Sequence, residues 1–460
     1  MQQELLLTVI IFILLFLKLG NAVTDNKKLL VFVNVLLAIN LVAGCFVQKT
    51  GYLFGDMFYT SKLLSFEKTI LNLGVLIISM QSVNWLSKHQ HMVEFYLLML
   101  STLLGMYFMI SSHNILMFYV GLELASIPLA AMANYDLDKK RSSEAAMKYI
   151  MSSAFASGIL LFGISIMYGV TGTLGFDGLK EAASDQPLFL FSFILLIAGF
   201  GFKISAVPFH LWTADVYEGS PIAVTSYMSV ISKGSMIFVM TSVLFTVFEK
   251  LFFTWYNMMA VLAVLSMIIG NLFALRQQNI KRFLAFSSIS QVGFILIGVS
   301  GGNPQGFTSV IYFVLIYIFS NLAAFGVLSL VSTEKGKETV DDFKGFYKTN
   351  PALTWILAIA LFSLAGIPPT AGFFGKFFLI LSGASRGNYI LITIAALNMV
   401  ISMYYYLRII KAMFMDANDK PIEKVEINLS PKIALITCVA GIVITGLASV
   451  VYDYIFALPR

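Results

Sequence analysis

Long apolar runs, separated by short polar stretches, recur along the whole chain. A helix needs roughly 20 apolar residues to cross the hydrocarbon core of a bilayer, and the runs have about that length. The pattern predicts an all-α integral membrane protein with about fourteen transmembrane helices. We place them near residues 5–20, 29–46, 69–86, 92–111, 114–133, 145–170, 187–208, 221–248, 255–275, 283–300, 307–331, 351–381, 389–413 and 432–452.

Two of these runs are interrupted. The run at 187–208 leads into GFGFKISAVPFHLW, and the run at 351–381 contains SLAGIPPTAGFFGKFFLI, so each places proline and glycine beside a lysine. Proline removes a backbone hydrogen bond and clashes with the preceding turn, which in lipid is tolerated only where protein or water satisfies the freed groups. We predict two broken helices. Such a pair in the two halves of a transporter is typical of inverted repeats around an ion site at the membrane midplane.

Composition supports a single polytopic membrane domain over residues 1–460. Hydrophobic residues make up 58% of the chain and charged residues 12%, whereas soluble domains have roughly 25% charged residues. The mean hydropathy is +0.86. The connections are mostly short, and none resembles a separate soluble domain.

The distribution of basic residues predicts the orientation. Lysine and arginine are concentrated in the loops that follow odd-numbered predicted helices, and cytoplasmic loops are enriched in these residues. Both termini are therefore expected on the non-cytoplasmic side of the inner (plasma) membrane. The net charge of +6 is explained by this bias and by anionic lipid headgroups, so it does not indicate nucleic-acid binding.

Four ionisable residues lie inside apolar runs, where a charge is costly. They are Glu123, Lys203, Lys233 and Lys376. Desolvation favours the neutral form of a lysine and a nearby carboxylate favours the charged form, so a buried lysine can hold and release a proton. For each residue alone, a structural ion pair or a contact with a partner protein is the alternative.

The four residues suggest a proton relay. We expect Glu123 and Lys203 to interact directly, Lys233 to follow, and Lys376 to be the exit station. Polar side chains are available to bridge the stations: Ser226, Ser229, Ser232, Ser287, Ser288, Ser290 and Gln291.

Two further residues are secondary candidates. Lys148 lies about one turn inside its predicted helix, where relay and interfacial anchor are equally plausible. His210 follows the first break, and its ring can exchange protons near neutral pH. It could load protons at a cytoplasmic mouth near Asp215 and Glu218, or it could be a structural imidazole.

The sequence contains no motif that indicates a redox centre, a metal site or a nucleotide-binding site. The two cysteines are too few for an iron–sulfur cluster with about four ligands, and no HExxH or Cys/His cluster predicts a metal site. There is no GxxxxGK[ST] loop and no GxGxxG turn after a strand. We expect no cofactor in this chain, with the driving energy supplied by another subunit or an ion gradient.

Several motifs carry a specific resemblance that spans nearly the whole chain. They are YVGLELASIPL, GFKISAVPFHLWTADVYEGSP, IKRFLAFSSISQVGF, LAGIPPTAGFFGKF and LNMVISMYYYLRII. The sequence resembles the antiporter-like, proton-translocating membrane subunits of NADH-quinone oxidoreductase (respiratory complex I). Tyr217 in WTADVYEGSP and the lack of a long C-terminal lateral helix are similar to the subunit N branch. Ala214 departs from the usual proline in this motif.

The resemblance implies more than the residues alone. It implies two inverted five-helix repeats, which we place at 92–248 and 255–413, and proton transfer through Glu123, Lys203, Lys233 and Lys376, with Lys148 as a secondary position. It also implies NAD, FMN, iron–sulfur clusters and quinone in partner subunits, with the other membrane-arm subunits and the lipid bilayer as partners. This chain would be a non-redox subunit of the translocase. The alternatives are a subunit of a multi-subunit cation/proton antiporter or membrane-bound hydrogenase, and a non-transporting scaffold.

Overall fold

The structure is a computed structural model that describes residues 1–20, 25–46, 50–447 and 450–459. Helices account for nearly all of its regular structure. The first part of the chain forms α1 Gln2–Leu19, α2 Asn26–Phe46, a hairpin of β1 Gly51–Leu53 and β2 Phe58–Thr60, α3 Lys62–Gln81, α4 Val83–Leu86, α5 Met92–Ser111, α6 Ile115–Ala133 and α7 Lys140–Thr171.

The middle of the chain contains the first break. It forms α8 Phe176–Ala182, α9 Pro187–Ile204, α10 Leu211–Gly219, α11 Ile222–Tyr227, a π-helical turn Met228–Ser232, α12 Lys233–Thr246, a 3₁₀ turn Glu249–Leu251 and α13 Phe252–Arg276. The remainder forms α14 Ile280–Ser300, α15 Pro304–Lys335, α16 Phe346–Thr349, α17 Pro351–Ala365, α18 Ala371–Ala384, α19 Tyr389–Phe414, α20 Leu429–Leu447 and α21 Val450–Ala457.

The predicted membrane architecture is confirmed. Thirteen helices within the described residues are long and apolar enough to cross a bilayer. The predicted span 351–381 is divided between the shorter helices α17 and α18, so the prediction of about fourteen spans stands. The predicted span 432–452 includes residues 448–449, which lie outside the described residues.

Both predicted broken helices are present, and small residues form the second break. Gly366 ends α17 with a φ of 84°, a left-handed conformation that glycine adopts at little cost. The returning helix α18 then passes very close to α17, since a Cβ at Gly372 would lie 1.7 Å from the Ser363 carbonyl oxygen. At the first break, α9 ends at Ser205, whose φ is 60°.

The interior of the molecule is built around α14 and α15. The most apolar stretch of each of these two helices is completely buried, whereas only 28% of that stretch is buried in α1 and α7. The peripheral helices therefore present apolar side chains outward, as a lipid-facing or subunit-facing surface requires.

One predicted boundary was wrong. The sequence pattern started the third span at residue 69 and treated Lys68 as a loop residue, but α3 begins at Lys62 and Lys68 is 1% exposed. The Ser61 side chain caps this helix by accepting a hydrogen bond from the Leu64 amide, and Glu4 of α1 forms an ion pair with the Lys68 ammonium. An ion pair with a residue distant in sequence thus stabilises a lysine inside a helix where the local pattern indicates a loop.

Candidate functional site

Lys233 is buried at the start of α12 and has no ion-pair partner among the described residues. Its side chain is 1% exposed, and its Nζ donates a 2.8 Å hydrogen bond to the Ser288 hydroxyl of α14. The Nζ also lies 5.3 Å from the ring centroid of Tyr217. The π-helical turn just before Lys233 inserts an extra residue into the helix, a feature common at functional sites. A buried lysine without an ion-pair partner can exchange a proton without breaking an ion pair.

Lys203 occupies the last turn of α9, directly before the first break. Its Nζ donates a 3.1 Å hydrogen bond to the Tyr149 hydroxyl of α7, and its side chain is buried. A cavity of about 10 Å³ beside it is lined by Ser153, Ser157 and Lys203, among others. That volume is about what one water molecule needs, so the lysine has room for a proton-carrying neighbour.

Lys376 is attached to the second break. Its Nζ donates hydrogen bonds of 2.8 Å to the Leu364 carbonyl and 3.2 Å to the Ala365 carbonyl. These are the last carbonyls of α17, which a continuing helix would have paired, and a cation is favourable at that end of the helix dipole. Lys376 is 0% exposed. The alternative in which it contacts a neighbouring subunit is therefore wrong.

Glu123 does not form the direct contact with Lys203 that we predicted. No ion pair joins them in the described structure, because Lys203 is held by Tyr149 of α7, a helix that packs against both α6 and α9. Glu123 is half-buried, and its Oε1 atom has no hydrogen-bond partner. Its neighbours on the same helix face, Val120 and Ile127, are exposed. This carboxyl group therefore lies near the outer surface of the helix bundle.

Helix α14 connects two of the three lysines. Ser288 accepts from Lys233, and Gln291 donates to the Leu364 carbonyl at 2.9 Å, the same oxygen that accepts from Lys376. Residues three apart lie on one helix face. The polar face of α14 therefore leads from Lys233 to the environment of Lys376.

The other predicted bridging residues differ in the partners of their hydroxyls. Ser229 lies 3.3 Å from the Tyr317 hydroxyl, and the Ser290 hydroxyl is buried without a hydrogen-bond partner. Ser226 and Ser287 instead donate to carbonyls of their own helices. Their hydroxyl hydrogens are therefore not available to bridge two lysines.

Tyrosines are the site residues that the sequence analysis missed. Tyr149 contacts Lys203, Tyr217 contacts Lys233, and Tyr406 accepts a 3.2 Å hydrogen bond from Gln291. Tyrosine in a membrane helix usually indicates an interface position, so single positions gave no signal. Tyr149 and Tyr217 share proximity to a lysine, which only the fold reveals.

Helix α10 and the serine that follows it carry a stripe of unpartnered hydroxyls. Thr213, Tyr217 and Ser220 are all buried, and the side-chain oxygen of each lacks a hydrogen-bond partner in the described structure. Spacings of four and three residues place them on one helix face. Buried hydroxyls without protein partners are usually hydrated, so the stripe is suited to hold water beside Lys233.

Two vestibules open on opposite faces of the molecule. The first has a volume of about 500 Å³, and its lining includes Lys88, Asp136, Lys139, Ser220, Lys281 and Glu338. The second has a volume of about 740 Å³, and its lining includes Leu64, Ser112, His113, Asp177, Ser242 and Arg386. The first lies among loops that the sequence predicts to be cytoplasmic, and the second among the opposite loops.

Asp136 is a fixed charge in the first vestibule. Burial alone would raise the pKa of Asp136, but hydrogen bonds with His89 and Lys139 lower this pKa to about 2. The Lys139 Nζ lies 2.7 Å from the carboxylate. Asp136 therefore stays ionised at neutral pH and can attract cations without carrying a proton.

The two secondary candidates have different surroundings. Lys148 is 41% exposed and forms ion pairs of 2.7 Å with both Glu144 and Asp215, so it is tied to a surface network. His210 is buried in the connection between α9 and α10, and its Nδ1 has no hydrogen-bond partner. Asp215 and Glu218, which we expected beside His210, instead accept hydrogen bonds from Arg282.

The segment that matches a known protein family contains the four predicted relay residues. The family model described as "NADH:quinone oxidoreductase/Mrp antiporter, TM" matches residues 112–402. This segment contains Glu123, Lys203, Lys233 and Lys376. It is more than half of the chain.

Solved structures share the fold. A chain of respiratory complex I from Thermus thermophilus with bound aureothin is 29% identical, with a TM-score of 0.84 over 97% of each chain. A chain of the Mrp complex from Dietzia sp. DQ12-45-1b is similar in fold, with a TM-score of 0.87 at 20% identity over 99% of this chain and 97% of that chain.

Curated relatives distinguish between the members of this broad family. NADH-quinone oxidoreductase subunit N of Azobacteroides pseudotrichonymphae genomovar. CFP2 is 46% identical over 88% of this chain and 85% of the relative. The protein of the same name from Phocaeicola vulgatus is 43% identical over 98% of this chain and 97% of the relative. These identities and near-complete alignments show that the chain belongs to the NADH-quinone oxidoreductase subunit N family.

Proposed function

We propose that this chain is a proton-translocating membrane-arm subunit of NADH-quinone oxidoreductase. The observation that carries the proposal is the set of three buried lysines, none of which has a carboxylate partner in the described structure. A structural buried charge needs a close partner to offset desolvation. A lysine held only by hydroxyls or carbonyls is suited to release its proton.

Protons would enter from the first vestibule. The hydroxyl stripe of α10 leads inward from Ser220, which lines this vestibule, to Tyr217 beside Lys233. Water bound along this stripe would deliver a proton to Lys233. Glu123 and Lys203, which lie on the α6 and α9 side, would bias that transfer through the charge of the lysine, and Lys376 would receive protons along α14.

The energy for this movement would come from NADH oxidation and quinone reduction in partner subunits. We propose that this chain contains no redox site of its own and that NAD, FMN, iron–sulfur clusters and quinone bind elsewhere in the complex. Other membrane-arm subunits would cover part of the exposed apolar surface near Glu123, and lipid would cover the rest.

The topology completes the proposal. The chain is a multi-pass integral membrane protein, and we place both termini on the non-cytoplasmic side of the inner (plasma) membrane on the basis of the loop charges. The two inverted five-helix repeats, at 92–248 and 255–413, remain a prediction. Each of these ranges includes one of the two broken helices.

An alternative is a subunit of a cation/proton antiporter, because the matching family model includes Mrp antiporters. Purification of the native assembly in mild detergent distinguishes the two. Co-purifying polypeptides that oxidise NADH and contain flavin and iron–sulfur clusters are expected. An assembly that lacks them and exchanges sodium for protons would favour the antiporter.

Replacing Tyr217 with phenylalanine is expected to slow proton translocation without reducing the amount of assembled complex. The change removes the hydroxyl from the middle of the α10 stripe but keeps the ring beside Lys233. Proton uptake into proteoliposomes during NADH oxidation measures the effect.

Tyr405→Phe is the matched control, since the Tyr405 hydroxyl donates to Asn271 at 2.9 Å and does not contact a lysine. We expect this variant to retain translocation and to lose some thermal stability. Equal translocation in Tyr217→Phe and wild type would contradict a role for the stripe.

A further inference from the structure

Glu67 is a buried carboxyl group that the relay described above does not use. It lies on α3, is 0% exposed, and neither of its carboxyl oxygens has a hydrogen-bond partner among the described residues. The adjacent Lys68 is committed elsewhere, because its ammonium contacts Glu4 and the Ser111 hydroxyl. An ionised carboxylate without partners in an apolar interior is strongly disfavoured. Glu67 therefore holds a proton in this conformation.

The face of α3 that carries Glu67 points toward Lys233. Leu71 and Gly74, which lie four and seven residues later, are on the same face. A Cβ at Gly74 would lie 2.4 Å from Ile231 Cδ1, and a Cβ at Gly234 would lie 3.6 Å from Leu71 Cδ2. Helix α3 and the segment from Ile231 to Gly234 therefore run antiparallel. Glu67 lies beyond Leu71 in the direction away from the first vestibule.

The second vestibule ends close to Glu67. Leu63 and Leu64, which precede Glu67 by about one turn, line this vestibule together with Ile110, Val239 and other residues of α5 and α12. One helical turn is about 5.4 Å. Lys376, our predicted exit station, lines neither vestibule, so a proton that reaches it along α14 would return to Lys233 before release. Glu67 thus lies between Leu71, which packs beside Lys233, and the inner end of the second vestibule.

We propose that Glu67 is the proton-release group of this subunit, discharging protons from Lys233 into the second vestibule. The proposal rests on the proton-translocating function proposed above and adds its release site. The Glu67 carboxylic acid gives its proton to vestibule water when water reaches it past Leu64. The Lys233 ammonium then returns one proton through transient water to the Glu67 carboxylate and becomes neutral, ready for reloading from the first vestibule.

The charged and titratable groups around Glu67 suit this role. Glu4 on α1 pairs with both Lys68 on the same helix and the Met1 ammonium, and α5 contributes Tyr107, whose hydroxyl donates to the Lys68 carbonyl at 3.2 Å. Helix α12 contributes Lys233, and α15 has no charged residue before Glu334. The vestibule itself contains His113, Asp177, Lys180, Glu249 and Arg386, which keep it hydrated.

Glu67→Gln in the complete complex tests the proposal. Glutamine keeps the size and polarity of the side chain but cannot carry a proton. We expect NADH oxidation to persist while the number of protons moved per electron, measured in proteoliposomes, falls to the value found for Lys233→Ala. Glu67→Asp, which retains a carboxyl group, should recover part of the loss. Glu94→Gln is the control, since Glu94 is partly exposed and pairs with Lys18, and it should behave as wild type.

The outcomes separate this inference from the proposed function. A normal proton yield in Glu67→Gln, with a reduced yield in Lys233→Ala, overturns the release role and leaves translocation intact. Normal yields in both variants overturn both. Difference infrared spectroscopy of the wild-type complex should also show a protonated carboxyl band that is missing in Glu67→Gln, and an unchanged spectrum would contradict the inference.

A second variant serves if Glu67→Gln does not assemble. Leu64→Cys, in a background with Cys45→Ser and Cys438→Ser, should react with a membrane-impermeant thiol reagent added on the non-cytoplasmic side. The reaction should be faster during NADH turnover, when water must reach Glu67. Absence of labelling from this side would overturn the proposed release route.

Discussion

Replacing Lys233 with methionine is expected to abolish proton translocation through this subunit while the complex remains assembled. Methionine fills similar space in a buried apolar position but cannot hold a proton. The cost in stability should be small, about 1 kcal/mol, because Lys233 forms no ion pair in the described structure and the Ser288 hydroxyl still donates to the Ala285 carbonyl at 2.7 Å. Proton yield per electron and thermal denaturation of the purified complex measure the two effects.

Lys335→Met is the matched control for this prediction. Lys335 is a lysine at the end of α15 that pairs with Glu423 at 2.6 Å, and surface pairs of this kind contribute little to stability. Its replacement should leave the proton yield unchanged. A Lys233→Met complex with the same yield as this control would show that Lys233 carries no protons.

Lys376→Met is expected to affect both function and stability. The lysine is the hydrogen-bond donor for the Leu364 and Ala365 carbonyls at the break, and an unpaired buried carbonyl costs about 1–3 kcal/mol. Gln291 still donates to Leu364, so the main loss is at Ala365. We therefore expect a lower denaturation temperature than in Lys233→Met, together with a reduced proton yield.

The infrared difference spectrum distinguishes the two roles of Lys376. If this lysine receives protons after Lys233, then Glu123 should still change protonation in Lys376→Met while net translocation is impaired. A complex with reduced thermal stability and a normal proton yield would mean that Lys376 only caps the broken helix.

The sequence predicted the membrane spans and the broken helices because their signals are local. Apolar runs of about 20 residues located thirteen spans, and proline and glycine beside Lys203 and Lys376 located the breaks. The buried lysines were also visible, since a charge within an apolar run is conspicuous. The boundary near Lys68 failed because its partner, Glu4, is more than sixty residues away in the chain.

Contacts between distant helices could not be predicted in this way. The expected Glu123 contact with Lys203 is absent because α7 supplies Tyr149 as the partner of Lys203. The contact of Tyr217 with Lys233 and the position of Glu67 below the second vestibule depend on how helices pack, which periodicity does not specify. Glu67 and Lys68 are adjacent in sequence but serve different faces of α3, and local patterning cannot separate their environments.

The central claim is that buried lysines act by releasing protons and not merely by being positively charged. The most direct measurement is the proton yield per electron of reconstituted complexes with Lys203→Arg and Lys203→Ala. Arginine keeps the charge but does not deprotonate in proteins, so we predict that both variants assemble and that both lose coupled proton translocation severely. Full translocation in Lys203→Arg, with loss only in Lys203→Ala, would contradict the account, since charge alone would then be sufficient.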